Sequence, residues 1–197
     1  MMNNLVCPHC SHSTIQEHFC SECNKVLPIR ALSYFDVFRL SENYNIDIKQ
    51  LDTKLFELQR CFHPDKFINQ SLIEQSIALN NSALINQAYK VLKTPLLRAE
   101  YLLKLKGFDI DKEEVPQHLL LESMEWRESL ESSEDERSIR KLLEEVSYKE
   151  NNAYKLLTEY FIKELYNQAL SIYIELKFYT RFKLEIINKL DLINDTI

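Results

Sequence analysis

Four of the five cysteines form two closely spaced pairs near the N-terminus, and their spacing could support metal chemistry. Two residues lie between the cysteines of each pair, and nine residues separate the pairs, which consist of Cys7, Cys10, Cys20 and Cys23. Two such pairs can fold back on each other and offer four thiolates in the tetrahedral arrangement that zinc prefers. Because the surrounding segment is too short for a core of its own, the metal would supply its folding energy. The spacing therefore predicts a structural zinc site.

Other interpretations of the cysteine pairs remain open. Disulfides would form in an oxidising compartment, and a redox-active pair would need a βαβ context that the surrounding sequence lacks. His9, His12 or His18 could replace a metal ligand, but four cysteines already complete the shell, so we expect these histidines to be solvated neighbours. We expect the fifth cysteine, Cys61, to be a packing residue.

A zinc ribbon can also bind nucleic acid, but the charge of this module does not favour that function. Residues 1–30 carry two basic residues, Lys25 and Arg30, against the acidic Glu17 and Glu22. A nucleic-acid interface is normally strongly basic. We therefore expect no nucleic-acid partner.

The turn His63-Pro64-Asp65 is the second stretch that could do chemistry. Pro64 fixes its own φ and disfavours helical geometry at His63, so a helix must end there. Asp65 can hydrogen-bond local backbone and hold the bend. A general base oriented by a carboxylate is conceivable, but no nucleophile motif lies nearby and an exposed turn does not exclude water. A docking tip is the better interpretation.

Composition predicts an all-α protein. The 197 residues include 45% hydrophobic residues but only one glycine, Gly107, whereas strand-rich folds need many turn glycines. A single glycine also excludes the Gly-rich phosphate loops of nucleotide-binding folds. We find neither an apolar run long enough to span a membrane nor a secretory signal. A cytoplasmic protein is expected, or a mitochondrial matrix protein if a presequence has been removed.

Charge is distributed unevenly along the chain. The net charge is −6, with ten Lys or Arg against eight Asp or Glu in residues 31–107, and twelve against twenty in residues 108–197. The middle of the chain is therefore mildly basic and the C-terminal part acidic. This difference suggests two surfaces for different partners, although two ordinary solvated faces would give the same counts.

Apolar periodicity predicts helices on both sides of the turn. A short aromatic helix follows Ser33, and two longer helices, at residues 48–60 and 74–93, must be antiparallel because the turn between them is short. A fourth helix at residues 96–106 ends at Gly107. The predicted buried positions are Leu51, Leu55, Leu58 and Phe62 before the turn, and Ile77, Leu84, Ala88, Val91 and Leu92 after it.

The C-terminal part predicts a three-helix bundle. After a polar linker at residues 108–116, helical periodicity covers residues 117–131, 134–163 and 167–192. The expected organisation is a tetracysteine module at 1–30, a hairpin domain at 31–107, the linker at 108–116 and an antiparallel bundle at 117–197.

Taken together, these motifs resemble the iron–sulfur J-protein co-chaperones of the HscB/Jac1 family. The resemblance starts near Tyr34 and continues almost to the C-terminus, and the cysteine pairs resemble an extension on the human member. The motif residues are Leu58-Gln59-Arg60, His63-Pro64-Asp65-Lys66-Phe67, Ile85-Asn86-Gln87-Ala88-Tyr89, Leu92, Pro95-Leu96, Arg98-Ala99-Glu100-Tyr101-Leu102-Leu103 and Gly107.

The resemblance implies a J-domain that docks on a DnaK/HscA-type chaperone and stimulates its ATPase, so that this chain is not itself an enzyme and binds no nucleotide. A cationic helix would suit an anionic patch on that partner. A general J-protein for unfolded clients is the alternative. The positions that match the chaperone-binding residues are His63, Pro64, Asp65, Lys66, Lys54 and Arg60.

The resemblance also implies that the acidic bundle binds an IscU-type scaffold protein on which iron–sulfur clusters are built. Some apolar residues of the first bundle helix fall outside one buried face, which suits an interface with an apolar centre and an acidic rim. Trp126 stands where relatives usually have an aliphatic residue, and Ser132 replaces an acidic one. The matching residues are Leu120, Leu121, Met124, Glu125, Glu128 and Phe178. The interpretation is compatible with a weak homodimer and implies no membrane partner.

Overall fold

The computed structural model describes residues 5–14, 18–133 and 135–194, and helices dominate them, which confirms the all-α class. The chain forms two compact units, Met1–Pro95 and Leu96–Ile197. The fourth helix, Pro95–Leu105, therefore lies almost entirely in the second unit, whereas the predicted hairpin domain included it. The helices are α1 Tyr34–Val37, α2 Ile48–Phe62, α3 Leu72–Lys93, α4 Pro95–Leu105, α5 Gln117–Ser132, α6 Glu136–Ile162 and α7 Tyr166–Asn194.

The first unit begins with a small ribbon. Strands β1 (Leu5–Val6) and β2 (Ser13–Thr14) pair antiparallel, and a single bridge joins Phe19 to Val26. Two such short pairings bury little surface, so the ribbon depends on other contacts for its stability.

Helices α2 and α3 form the predicted antiparallel hairpin. The Asp47 side chain caps α2 by accepting hydrogen bonds from two backbone amides, and a capping box of Ser71 and Glu74 starts α3. Side chains also tie the hairpin together: the Tyr89 hydroxyl donates to Asp52 at 2.8 Å. All four predicted positions of α2 are buried.

The predicted buried stripe of α3 is partly wrong. Ile77, Leu84 and Val91 lie half-buried at the edge of the interface. The reason is that two polar residues take buried positions and meet their hydrogen-bond partners there, which an apolar pattern cannot indicate. The buried residues are Glu74, Ala78, Asn81, Ile85, Ala88 and Leu92.

Helix α4 ends as predicted. Gly107 has φ 89°, and the next amide, that of Phe108, donates to the Leu103 carbonyl at 3.1 Å. This is the left-handed C-terminal cap for which glycine is favoured. The predicted linker that follows contains a short 3-10 turn, Ile110–Lys112, with Ile110 buried.

The second unit contains the three predicted bundle helices. Helices α6 and α7 run antiparallel over most of their length, and Glu150 is buried between them, bonded to Thr180 at 2.9 Å and Lys183 at 2.6 Å. Tyr173 of α7 donates its hydroxyl proton to Glu100 of α4 at 2.8 Å, which ties α4 to the bundle. Among the described residues, no helix combines the length and hydropathy needed to cross a membrane.

Candidate functional site

The four N-terminal cysteines converge on one point. All four Sγ atoms lie within 4.8 Å of one another, with Cys7 and Cys23 at 3.6 Å and Cys10 and Cys20 at 3.7 Å. Tetrahedral zinc with Zn–S bonds of ~2.3 Å would separate its sulfurs by about 3.8 Å. Disulfide-bonded sulfurs would lie ~2.05 Å apart, so these cysteines are free. The cluster can hold a metal ion.

The two cysteine pairs use the same backbone geometry. Ser11 and Asn24, which follow the second cysteine of each pair, have φ of 59° and 53°. Their amides donate to the carbonyls of Cys7 and Cys20, both at 2.9 Å. Each pair is therefore a tight turn that aims its two sulfurs to the same side.

The thiols of the cluster are unequal in acidity. Hydrogen bonds from the backbone amides of Cys23 and Glu22 lower the pKa of Cys20 to about 6, which favours its thiolate. The amide of His12 acts in the same direction on Cys10, but desolvation and the neighbouring thiols raise the pKa of Cys10 to about 12. Four thiolates at this distance require a cation among them.

The expectation of solvated histidines is wrong for two of the three. His12 is exposed, but His9 and His18 are half-buried. The Nε2 atom of His9 is buried and has no hydrogen-bond partner among the described residues, and the His18 ring makes an edge contact with Phe62 at a centroid distance of 5.2 Å. Desolvation lowers the pKa of His18, which keeps the ring neutral. Its Nδ1 has no hydrogen-bond partner among the described residues.

The His63-Pro64-Asp65 turn stands at the end of α2. Helix α2 stops at Phe62, and Pro64 opens a 3-10 turn, Pro64–Phe67. The structure assigns the local cap to the histidine: His63 Nδ1 accepts a hydrogen bond from the Asp65 amide at 3.3 Å. Since Nδ1 is the acceptor, the proton of the neutral ring is on Nε2. The imidazole and the Asp65 carboxylate, 57% and 78% exposed, thus present a donor and an acceptor together.

Both lysines among the predicted chaperone-binding residues donate hydrogen bonds to main-chain carbonyls of the first unit. Lys54 Nζ donates to Phe38 O at 2.7 Å and to Arg39 O at 3.1 Å, at the end of α1. Lys66 Nζ donates to Arg60 O at 2.5 Å, at the end of α2. These ammonium groups satisfy helix-terminal carbonyls, so they stabilise the tip and its surroundings.

The outward stripe of α2 runs opposite its buried face. It consists of Lys49, Thr53, Phe56 and Arg60, all exposed, and it leads to His63. Phe56 is 66% exposed in the middle of this stripe. The stripe is therefore a cationic surface with one large aromatic side chain, which the sequence analysis had not singled out.

Helix α5 exposes the apolar residues that the resemblance indicated. Leu120, Leu121 and Met124 are 45%, 54% and 65% exposed, and Glu125 and Glu128 lie exposed beside them. These five residues are the outward face of α5. An apolar patch with an acidic rim is typical of a protein-binding surface.

The inward face of α5 explains why that patch stays outside. Trp126 is buried and stacks on Phe182 of α7 at a centroid distance of 5.3 Å. Arg127 pairs with Glu185 of α7 at 3.2 Å, and the Lys149 ammonium of α6 pairs with Glu122. Helix α5 is therefore held in one rotational setting by contacts on its inward face and both flanks.

Phe178 lies on α7 and is half-buried. It lines a groove of about 250 Å³ between α5 and α7, together with Leu119, Ser123 and Trp126 of α5. The structure thus brings Phe178 to α5, on the flank of the outward face.

Comparison with known proteins indicates the family of this chain. Residues 115–187 match the family model described as the HSCB C-terminal oligomerisation domain. The chaperone HscB from Vibrio cholerae is 31% identical with a TM-score of 0.75, and the match covers 82% of this chain and 99% of that protein. The chain belongs to the HscB/Jac1 family of co-chaperones.

Two further solved structures, a human HscB and a yeast Jac1, are also similar to this chain. The human co-chaperone protein HscB is 26% identical with a TM-score of 0.85, covering 93% of this chain and 97% of that one. The Jac1 co-chaperone from Saccharomyces cerevisiae is 25% identical with a TM-score of 0.65, covering 81% and 95%. Members of the HscB/Jac1 family are co-chaperones of iron–sulfur cluster assembly, not enzymes, and they work with Hsp70 and scaffold proteins.

Proposed function

We propose that this chain stimulates the ATPase of a DnaK/HscA-type Hsp70 chaperone and delivers an IscU-type scaffold protein to it, thereby promoting iron–sulfur cluster transfer. The observation that carries the proposal is the presence of two exposed surfaces of opposite character on one HscB/Jac1 chain. One is the His63-Pro64-Asp65 tip with the outward stripe of α2, and the other is the outward face of α5.

The chaperone partner is supported by the chemistry of the first surface. Lys49 and Arg60 offer positive charge, and the His63 Nε2–H and the Asp65 carboxylate offer a donor and an acceptor at the tip. An anionic partner would be attracted to this stripe before docking, which raises the association rate. We add Phe56 to the predicted contacts, because an exposed aromatic ring inside a polar stripe is a typical interface anchor.

The scaffold partner is supported by the outward face of α5. Leu120, Leu121 and Met124 form its centre, and we assign Phe178 to its edge through the groove between α5 and α7. The acidic Glu125 and Glu128 would favour a partner with basic residues around an apolar site.

The cysteine cluster is proposed to bind one structural zinc ion. Four sulfurs complete a tetrahedral shell and leave no open position for a reacting water, so the site would fold the module and would not catalyse a reaction. Free thiols and thiolate ligands suit a reducing compartment, and we assign the protein to the cytoplasm, with the mitochondrial matrix as the alternative.

Steady-state ATPase assays with a purified DnaK/HscA-type chaperone test the function. We expect the chaperone to hydrolyse ATP slowly when only the scaffold is added and faster when this chain is added. The rate should be highest when this chain and the scaffold are both present. A chain that stimulates equally with a generic unfolded peptide in place of the scaffold would instead be a general J-protein. No stimulation under any condition would reject the proposal.

Sedimentation of the chain alone tests a different occupant of the α5 face. A second copy of this chain could cover Leu121 and Met124, and the matched family model is described as an oligomerisation domain. We expect a monomer at micromolar concentration and a one-to-one complex with the scaffold. A stable dimer that excludes the scaffold would defeat the assignment of this face.

A further inference from the structure

The N-terminal module is fastened to α3 by one buried amide. Asn81 is 3% exposed, its Oδ1 accepts from the Ile29 amide at 2.9 Å, and its Nδ2 donates to the Leu27 carbonyl at 2.9 Å. A side chain thus supplies the donor and acceptor that a neighbouring strand would otherwise supply. The bond to the Leu27 carbonyl is buried and the bond from the Ile29 amide is partly buried, so losing Asn81 would leave these backbone groups without their partner.

The segment that Asn81 holds also packs on the metal-binding cysteines. Leu27 is fully buried, and its side chain belongs to a small core with Cys7, Cys20 and Cys23. The same residue therefore contacts the metal site through its side chain and α3 through its carbonyl. Order at the cysteine cluster and order at this face of α3 depend on one shared residue.

A second contact joins the module to the end of α2. Phe62 is fully buried and is the last residue of α2, next to His63 of the tip. The His18 ring meets its edge at 5.2 Å, and the Phe19 ring stacks nearly parallel to it at 6.3 Å. Phe19 directly precedes the ligand Cys20, so the second cysteine turn is seated on the helix that carries the tip.

A third contact reaches the start of α3, just beyond the tip. Lys25 Nζ lies 3.5 Å from Glu74 Oε2, and Glu74 is buried. Glu74 also accepts hydrogen bonds from the Ser71 hydroxyl at 2.7 Å and amide at 3.3 Å, forming the capping box of α3. The module therefore contacts the chain on both sides of the His63-Pro64-Asp65 turn.

We propose that the metal-loaded cysteine module is a brace for the chaperone-docking tip, so that metal binding at the four cysteines and ordering of residues 58–81 are thermodynamically coupled. The coupling follows from the shared residues: Leu27 and Phe62 cannot keep their contacts if the cysteine turns come apart. Coupling of this kind is reciprocal, so the hairpin must in turn raise the metal affinity of the module. This inference rests on the proposed metal binding and goes beyond a module that only folds itself.

Hydrogen exchange of the full chain, with zinc bound and after chelation, measures one direction of the coupling. We expect removal of zinc to raise exchange at least tenfold in peptides covering 58–81 as well as 5–30, while α5–α7 stay unchanged. Native mass spectrometry counts the bound zinc. A chain that binds one zinc but exchanges identically at 58–81 with and without it would overturn the brace alone.

Zinc affinity of variants measures the reciprocal direction. In competition with a chromophoric chelator, Asn81→Ala should bind zinc about tenfold more weakly, since two hydrogen bonds to the module, one buried and one partly buried, are lost. Asn80→Ala is the matched control, because Asn80 is the preceding residue of the same helix and is exposed. Equal zinc affinity of the two variants would overturn the brace.

Two further readouts cover variants that fold poorly or bind no metal. If Asn81→Ala loses helical circular dichroism, Lys25→Ala replaces it, and the brace then requires weaker zinc affinity than the wild-type chain. Unchanged affinity in Lys25→Ala would count against the brace. Failure of the wild-type chain to bind any zinc would reject the metal site itself and the brace with it.

Discussion

The tip of the α2–α3 hairpin and the outward face of α5 are both exposed, but different forces give them their form. At the tip, two short-range polar contacts stabilise the turn: His63 caps the 3-10 turn, and Lys66 donates to a terminal carbonyl of α2. The α5 face instead has exposed apolar side chains at its centre. It is presented because Trp126 and Arg127 hold the opposite side of the helix.

These two kinds of surface are expected to lose their function in different ways. A surface built from aligned polar groups loses its function when one group changes, because geometry and charge are lost together. An apolar patch loses affinity gradually, as contact area is removed, unless the residue lies at its centre. The predictions below use that difference, and each variant should affect one surface and spare the other.

The largest effect is expected for His63→Gln at the tip. Glutamine removes the Nδ1 cap on the Asp65 amide and replaces the rigid ring by a flexible amide whose donor is no longer fixed beside Asp65, so stimulated ATPase should fall to the unstimulated rate. Single-turnover ATP hydrolysis by the chaperone measures this. Scaffold affinity by calorimetry should remain within about twofold of the wild-type value. Loss of scaffold binding in a folded variant would show that the two surfaces are not independent.

Leu121→Ala combined with Met124→Ala should weaken scaffold binding by about tenfold or more, because both remove apolar area at the centre of the α5 face. Calorimetry measures the affinity, and stimulation of the chaperone by this chain without scaffold should be unchanged. Leu184→Ala is the control, since Leu184 is 56% exposed on α7 outside the proposed face. An equal loss of scaffold affinity in Leu184→Ala would mean that the scaffold binds exposed apolar side chains in general and not the α5 face.

Phe56→Ala should weaken chaperone binding severalfold, and the loss should be nearly independent of salt because the contact is apolar. Surface plasmon resonance at two ionic strengths measures it. Leu79→Ala provides the control, as Leu79 is 59% exposed on α3 away from the stripe. If Phe56→Ala leaves the affinity for the chaperone unchanged, the stripe binds by charge alone.

The smallest effects separate Arg60 from Lys54. Arg60→Ala should lower the association rate with the chaperone two- to threefold at low salt and less at high salt, since surface charges act mainly on encounter. Lys54→Ala should change stability more than association, because its ammonium is bonded to Phe38 O and Arg39 O. Stopped-flow rates and urea unfolding compare the two, and a reversed order would make Lys54 the contact residue.

Sequence predicted the parts of the sites that depend on short spacing. The two cysteine pairs, the helix stop at Pro64 and the cap at Gly107 each follow from a few neighbouring residues and their allowed backbone angles. The helices around the tip and in the bundle follow from apolar periodicity, which is a property of one segment at a time.

Sequence could not predict contacts between distant segments. Asn81 resembles any solvated helical amide until the structure brings Leu27 and Ile29 to it. The family resemblance placed Lys54 among partner contacts, and the sequence does not indicate that the end of α1 offers its ammonium two carbonyls. In each case the deciding group is a main-chain atom, and main-chain atoms carry no residue-specific signal.

The corner between α6 and α7 shows what a nearly glycine-free chain implies for unfolding. Glu164 adopts φ 56° there, while the Leu165 amide donates to Tyr160 O at 2.9 Å, as at the glycine-capped end of α4. A glutamate in this conformation strains the folded state, yet it also restricts the unfolded chain more than glycine would. The two effects oppose each other, and at a positive φ the strain is the larger, so the corner at Glu164 lowers the free energy of unfolding relative to a glycine there.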